Sequence, residues 1–161
     1  MTTFIRLTGC GIMIFTAFLW GRKRAEREDY SLKLLAEFIA FVRYARENII
    51  HTKTPIPDIC REYETDIYEM REFLADSEKN GICVAWDKHS AMLPQRAQKA
   101  VQRFVSNIGF GYDDEDKELC EYTVNVLGGL FEELKLKTDE RRKMWYTLPP
   151  LFVSSIILIL M

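Results

Sequence analysis

The chain has 161 residues, 29% of them charged and 48% hydrophobic, with a formal net charge of −2 at pH 7. Taken whole, that composition describes an ordinary soluble domain and excludes the strongly basic character of a nucleic-acid binder. The distribution departs from the average: all 24 acidic residues lie between Glu26 and Glu140, and of the 22 basic residues only Arg6 falls outside Gly21 to Lys143. A polar middle of 21 basic against 24 acidic residues, long enough for one compact domain, therefore separates two apolar ends.

The first end, Leu7 to Trp20, reads LTGCGIMIFTAFLW and meets the basic run Arg22, Lys23 and Arg24. Extended back to Thr3, with Arg6 reaching toward the far interface and Trp20 anchoring the near one, it suits an N-terminal transmembrane helix over residues 1–21. A cleaved signal peptide fits less well, because the segment closes on Phe18, Leu19 and Trp20 rather than on small residues.

Ala25 to His51 follows as a long helix. Leu32, Leu35, Ile39, Val42 and Ile49 share one stripe, widened by Leu34, Phe38 and Phe41, with no glycine or proline to interrupt it. A stripe this wide predicts a central helix covered on more than one side, running almost straight out of the first apolar segment. The stop is TKTPIPD, Thr52 to Asp58, where the two prolines bias Thr54 and Ile56 toward extended backbone. A second helix is expected from Asp58 to about Ser77, with Ile59, Tyr63, Ile67, Met70 and Leu74 on a narrow face and a left-handed stop at Gly81. A third runs from Ile82 to about Leu93 around Trp86, and a fourth from Gln95 to Asn107. A glycine-rich turn, Gly109 to Tyr112, precedes a fifth helix. It starts at Asp113, with Asp114, Glu115 and Asp116 in its first turn, and its apolar face is Leu119, Tyr122, Val126, Leu130, Phe131 and Leu134. No alternating run competes, so the fold class is all-α: a compact antiparallel bundle of about five helices spanning residues 22–143.

The last eighteen residues, Met144 to Met161, contain no charged side chain. As a helix they reach about 27 Å, close to the hydrocarbon thickness of a bilayer, so a C-terminal transmembrane helix is expected over 144–161. Arg141, Arg142 and Lys143 precede it, and Trp145 and Tyr146 suit the interface. Both basic clusters face the middle domain, which the positive-inside rule then places in the cytosol as the loop of a two-span hairpin.

Candidates for chemistry are few. Cys10, Cys60, Cys83 and Cys120 are dispersed with no C-x-x-C pair, and His51 and His89 are isolated, which reads as reduced thiols rather than a zinc site. Phosphate-binding and nucleophile-elbow motifs are absent from the sequence. Helix capping explains Asp113 to Asp116 more simply than a cation site, and Trp86 reads as core. The expectation is a non-enzymatic chain with no catalytic residues, metal, cofactor, small-molecule substrate or nucleic-acid partner.

Several landmarks in order resemble the stage III sporulation protein AB family. They are an N-terminal span with Gly9 and Gly11, the turn TPIPD at Thr54 to Asp58, the pair Ala85 and Trp86, the glycine turn Phe110 to Asp114, and the entry RRKMWYTL from Arg141 to Leu148. Departures are Pro149 and Pro150 where glycine is expected, Glu118 in place of glutamine, and Asp113 in place of serine. The resemblance implies a subunit of an eight-protein assembly that, with a forespore partner, builds a channel between mother cell and forespore. It also implies a middle domain similar to the cytoplasmic domain of type II secretion F proteins, placed in the mother-cell membrane around the forespore and recruiting an ATPase and membrane partners. On that reading Thr54, Pro55 and Pro57, with Gly111, Asp113 and Asp114, are the candidate partner-binding residues, since turns can expose recognition groups that helices hold in place. Alternatively, the same residues only stop and cap helices. A general two-span membrane adaptor unrelated to sporulation and a metal- or thiol-dependent membrane enzyme are the other classes open to the sequence.

Overall fold

The computed structural model describes residues 2–109 and 113–160, and within them the side chains of 1–15, 17, 18, 20, 21, 24, 25, 113 and 142–161 are not among those described. Every regular element among the described residues is helical. They are α1 (Thr2–Thr52), α2 (Ile56–Glu62), α3 (Tyr68–Asn80), α4 (Ile82–His89), a 3₁₀ turn (Ser90–Met92), α5 (Gln95–Asn107) and α6 (Asp113–Leu160). Two compact units result, Ser31–Leu134 on the one hand and Met1–Tyr30 with Lys135–Met161 on the other.

Within Ser31–Leu134, α1 supplies the centre. Leu34, Leu35, Phe38, Ile39, Phe41, Val42, Ala45 and Ile49 are all buried, the wide stripe expected of a helix with several neighbours. Trp86 of α4, 1% exposed, packs its ring 5.9 Å from Phe38 and 6.1 Å from Phe73, and the two phenylalanines lie 5.9 Å apart. Such offset and edge contacts are favourable beyond the area they bury. From α5 come Ala97, Val101, Phe104 and Val105, on the apolar face its sequence predicts.

Three expectations need correction. The first is the helix expected over Asp58 to Ser77, which is interrupted. Tyr63 at the end of α2 turns to extended backbone, its ring packs 5.4 Å from Phe41 and 5.3 Å from Tyr44, and its hydroxyl donates to Glu37 Oε1 at 3.1 Å. Thr65 Oγ1 then accepts the Ile67 N–H at 3.2 Å and restarts the chain into α3. The second concerns Ile56, expected to be extended before Pro57. Pro55 takes the extended conformation instead (φ −62°, ψ 146°) and its carbonyl accepts the N–H groups of Asp58 and Ile59, so the helix starts at Ile56, with Pro57 in its first turn. The third concerns α6, whose buried line is Asp116, Cys120, Thr123 and Leu127, while Tyr122 is 48% exposed and Leu119, Val126, Leu130, Phe131 and Leu134 are only partly covered. Thr123 is accommodated because its hydroxyl donates to the Leu119 carbonyl at 2.8 Å.

The continuity expected between the first apolar segment and the central helix holds, since α1 is one helix. Its end is set by Lys53, held at φ 52° in the left-handed region, which brings the Thr54 N–H back to the Asn48 carbonyl at 3.4 Å. Gly81 at φ 87° separates α3 from α4, as its place after Lys79 and Asn80 predicts.

The two expected spans, 1–21 and 144–161, fall almost wholly outside the residues whose side chains are described. Among the described residues, no helix is long and apolar enough to cross a membrane. In Met1–Tyr30 and Lys135–Met161, Glu28 Oε1 of α1 accepts from Arg141 Nη1 of α6 at 2.8 Å, so the two helices lie side by side at that point.

Candidate functional site

The two turns singled out in the sequence meet in space. A β-carbon placed on Gly109 would lie 3.3 Å from Cγ1 of Ile56, so the chain between α5 and α6 abuts the first turn of α2. Gly109 has φ +83°, a conformation that disfavours any other residue, and an added β-carbon would press on the Ile56 side chain. Its N–H donates to Oδ1 of Asp116 at 3.2 Å, and Asp116 is 6% exposed. The last member of the acidic run thus ties the preceding turn to α6, a charge-assisted bond that an apolar residue could not supply.

On this rim the candidate residues take different positions. Pro55 and Pro57 are exposed, fixed by the start of α2. Thr54 is half-buried and occupied internally: its hydroxyl shares a hydrogen bond with Thr52, and its N–H reaches Asn48. Asp114 is exposed. Gly111 lies outside the described residues, and Asp113 opens α6 with its side chain outside them. The exposed set is therefore Pro55, Pro57 and Asp114, with Ile56, Gly109 and Asp116 joining the turns from behind.

Beside this rim, α5 and α6 enclose a groove of about 560 Å³ lined by Arg103, Asn107, Glu115, Glu118 and Tyr122 among others. The Arg103 guanidinium sits 4.8 Å from the centre of the Tyr122 ring, a cation–π contact that holds both side chains along the groove. Sequence reasoning placed Tyr122 in the core. The available signal was the polar face formed by Glu115, Glu118 and Tyr122 at helical spacing, opposite Arg103 and Asn107 four residues apart on α5.

Burial pushes the thiols of Cys60 and Cys120 up to about 12, with Glu78 and Asp116 respectively adding to the shift, so both stay protonated and poor nucleophiles. Cys83 donates its S–H to the Val105 carbonyl at 2.9 Å. Among the described residues, no group of three or more His, Cys, Asp or Glu side chains is placed to hold a metal ion.

Ser31–Leu134 is thus an all-helical unit carrying a pair of adjoining turns and a charged groove, and the sequence comparison narrows the class. The family profile described as stage III sporulation protein AB matches residues 6–161, and the chain belongs to that family. No curated protein and no solved structure matches it.

Proposed function

We propose that this sporulation protein is a non-enzymatic platform. Its apolar ends anchor it in the mother-cell membrane around the forespore, and Ser31–Leu134 recruits an ATPase and membrane partners of a secretion-like channel. The membrane half of the reading rests on the sequence: an uncharged stretch of eighteen residues enters directly after Arg141, Arg142 and Lys143, and a second apolar stretch ends directly before Arg22, Lys23 and Arg24. The ATPase, the channel and the likeness to type II secretion F proteins rest on the family resemblance.

One observation carries the recruitment surface. The two turns that the resemblance marks out abut through Ile56 and Gly109, so residues distant in the chain, Pro55 and Pro57 on one side and Asp114 on the other, flank one contact that the buried Asp116 fastens to α6. Reversing Asp113 and Asp114 to lysine in the full-length protein and co-purifying it from detergent-solubilised sporulating cells tests this surface. The expected result is loss of the ATPase at unchanged helicity; equal recovery with the unaltered chain removes the rim from the interface.

A further inference from the structure

The near-neutral total charge conceals a separation that the two units make visible. Ser31–Leu134 holds 12 basic and 19 acidic residues, a balance of −7, whereas Met1–Tyr30 with Lys135–Met161 holds 10 basic and 5 acidic, a balance of +5. That excess is concentrated. The stretches Arg22 to Asp29 and Lys135 to Lys143 contain nine basic residues against five acidic ones, Glu26, Glu28, Asp29, Asp139 and Glu140.

The sequence places these two stretches far apart; the Glu28–Arg141 bridge at 2.8 Å puts them side by side. Arg22 is six residues from Glu28, about 9 Å along a helix, and Lys135 stands six residues before Arg141, so the two helix segments that carry this excess run beside each other at the bridge. Two of these carboxylates are engaged by cations of the same stretches, Glu26 by Arg22 at 3.1 Å and Glu28 by Arg141. Arg22, Lys23, Arg27 and Arg141 are exposed. Immediately beyond these stretches on each helix come an aromatic residue and an apolar run, Trp20 on α1 and Trp145 with Tyr146 on α6.

We propose that this pair of stretches is a binding collar for the headgroups of anionic phospholipids. The proposal rests on the membrane reading above and adds the identity of the lipid. A net excess of four positive charges, nine basic against five acidic residues, beside two apolar runs is the arrangement that concentrates anionic lipid at a membrane surface, each added cation strengthening the attraction until salt screens it. The acidic unit Ser31–Leu134 offers such headgroups no comparable attraction, which confines the lipid contact to the collar.

The test uses the full-length chain in vesicles of phosphatidylglycerol and phosphatidylcholine in equal amounts, with bromine on the acyl chains of one lipid or the other, and reads tryptophan quenching. Trp20 and Trp145 adjoin the collar, while Trp86, buried among Phe38 and Phe73, supplies the unquenched background. Quenching by the brominated anionic lipid is expected to exceed quenching by the zwitterionic one roughly threefold and to fall as salt is raised. A chain carrying Lys23→Gln, Arg24→Gln, Arg27→Gln, Arg142→Gln and Lys143→Gln is expected to lose that preference but keep its helicity, and lysine at the three arginine positions to restore it. Equal quenching by both lipids in the unaltered chain overturns the collar while leaving the membrane reading intact, as does a preference that survives the five substitutions. No quenching by either lipid overturns both.

Discussion

Between Ser31 and Leu134, helices hide their apolar faces against one another around Phe38, Phe73 and Trp86; in residues 1–30 and 135–161, no side chain among those described is buried. Leu19 is 45% exposed and Leu136 64%. Both regions are helical, so helix formation alone does not distinguish them. The first region covers most of its apolar side chains internally, with Tyr68 and Val84 left exposed. The second carries the excess of positive charge, which is why anionic headgroups are its proposed counterpart.

The contrast breaks most readily at its packed side. Trp86→Ala empties the space between Phe38 and Phe73, and a loss of about 3–5 kcal/mol in unfolding free energy is expected in denaturant titrations of the full-length chain. A loss below about 1 kcal/mol, the size typical of surface changes, would mean that the aromatic cluster is not the centre of the unit. Next in size is Gly109→Ala, which meets both a left-handed backbone and the Ile56 side chain at 3.3 Å. About 1–3 kcal/mol is expected, and Ile56→Ala in the same chain should recover part of it by removing the Cγ1 carbon that the added methyl would meet. Independent, additive effects of the two changes would argue that the turns do not share this contact.

The smallest effect sharpens the comparison from the surface of the same unit. Asp76 accepts from Lys88 Nζ at 2.7 Å and lies 2.6 Å from His89 Nε2, joining α3 to the end of α4. Hydrogen bonds from Lys88 and then His89 hold its carboxyl below the usual aspartate range. A depressed folded-state value stabilises the native form above the unfolded value of about 3.9, and that stability is lost as pH falls through the lower folded value. Thermal unfolding below about pH 4 should therefore depend less steeply on pH in Asp76→Asn than in the unaltered chain. Parallel profiles would show that this exposed pair contributes nothing, as many surface pairs do.

Much of the helical order was legible because it depends on local chemistry. The stripe on α1, the stop at Gly81 and the start of α5 after Pro94 each follow from residues within a turn or two of one another. The failures occur where distant residues decide. The pattern of Ile59, Tyr63 and Ile67 is good helix, yet Glu37, Phe41 and Tyr44 draw Tyr63 out of it. On α6 the buried line passes through Asp116 and Thr123, whose polarity conceals it from any search for apolar spacing, because their hydrogen bonds offset the cost of burial. Of the candidate rim, each turn was readable as a turn from its prolines or glycines. Their meeting was not, since neither Ile56 nor Gly109 carries a local sign of the other.

That meeting also bears on how such a chain can vary. Surface turns are ordinarily where insertions and deletions are absorbed most freely. Here, with Ile56 filling the space in front of Gly109 and Asp116 fastening the same backbone from the other helix, a change of length in one turn displaces the other. Grafting one loop onto this fold therefore requires moving the other with it.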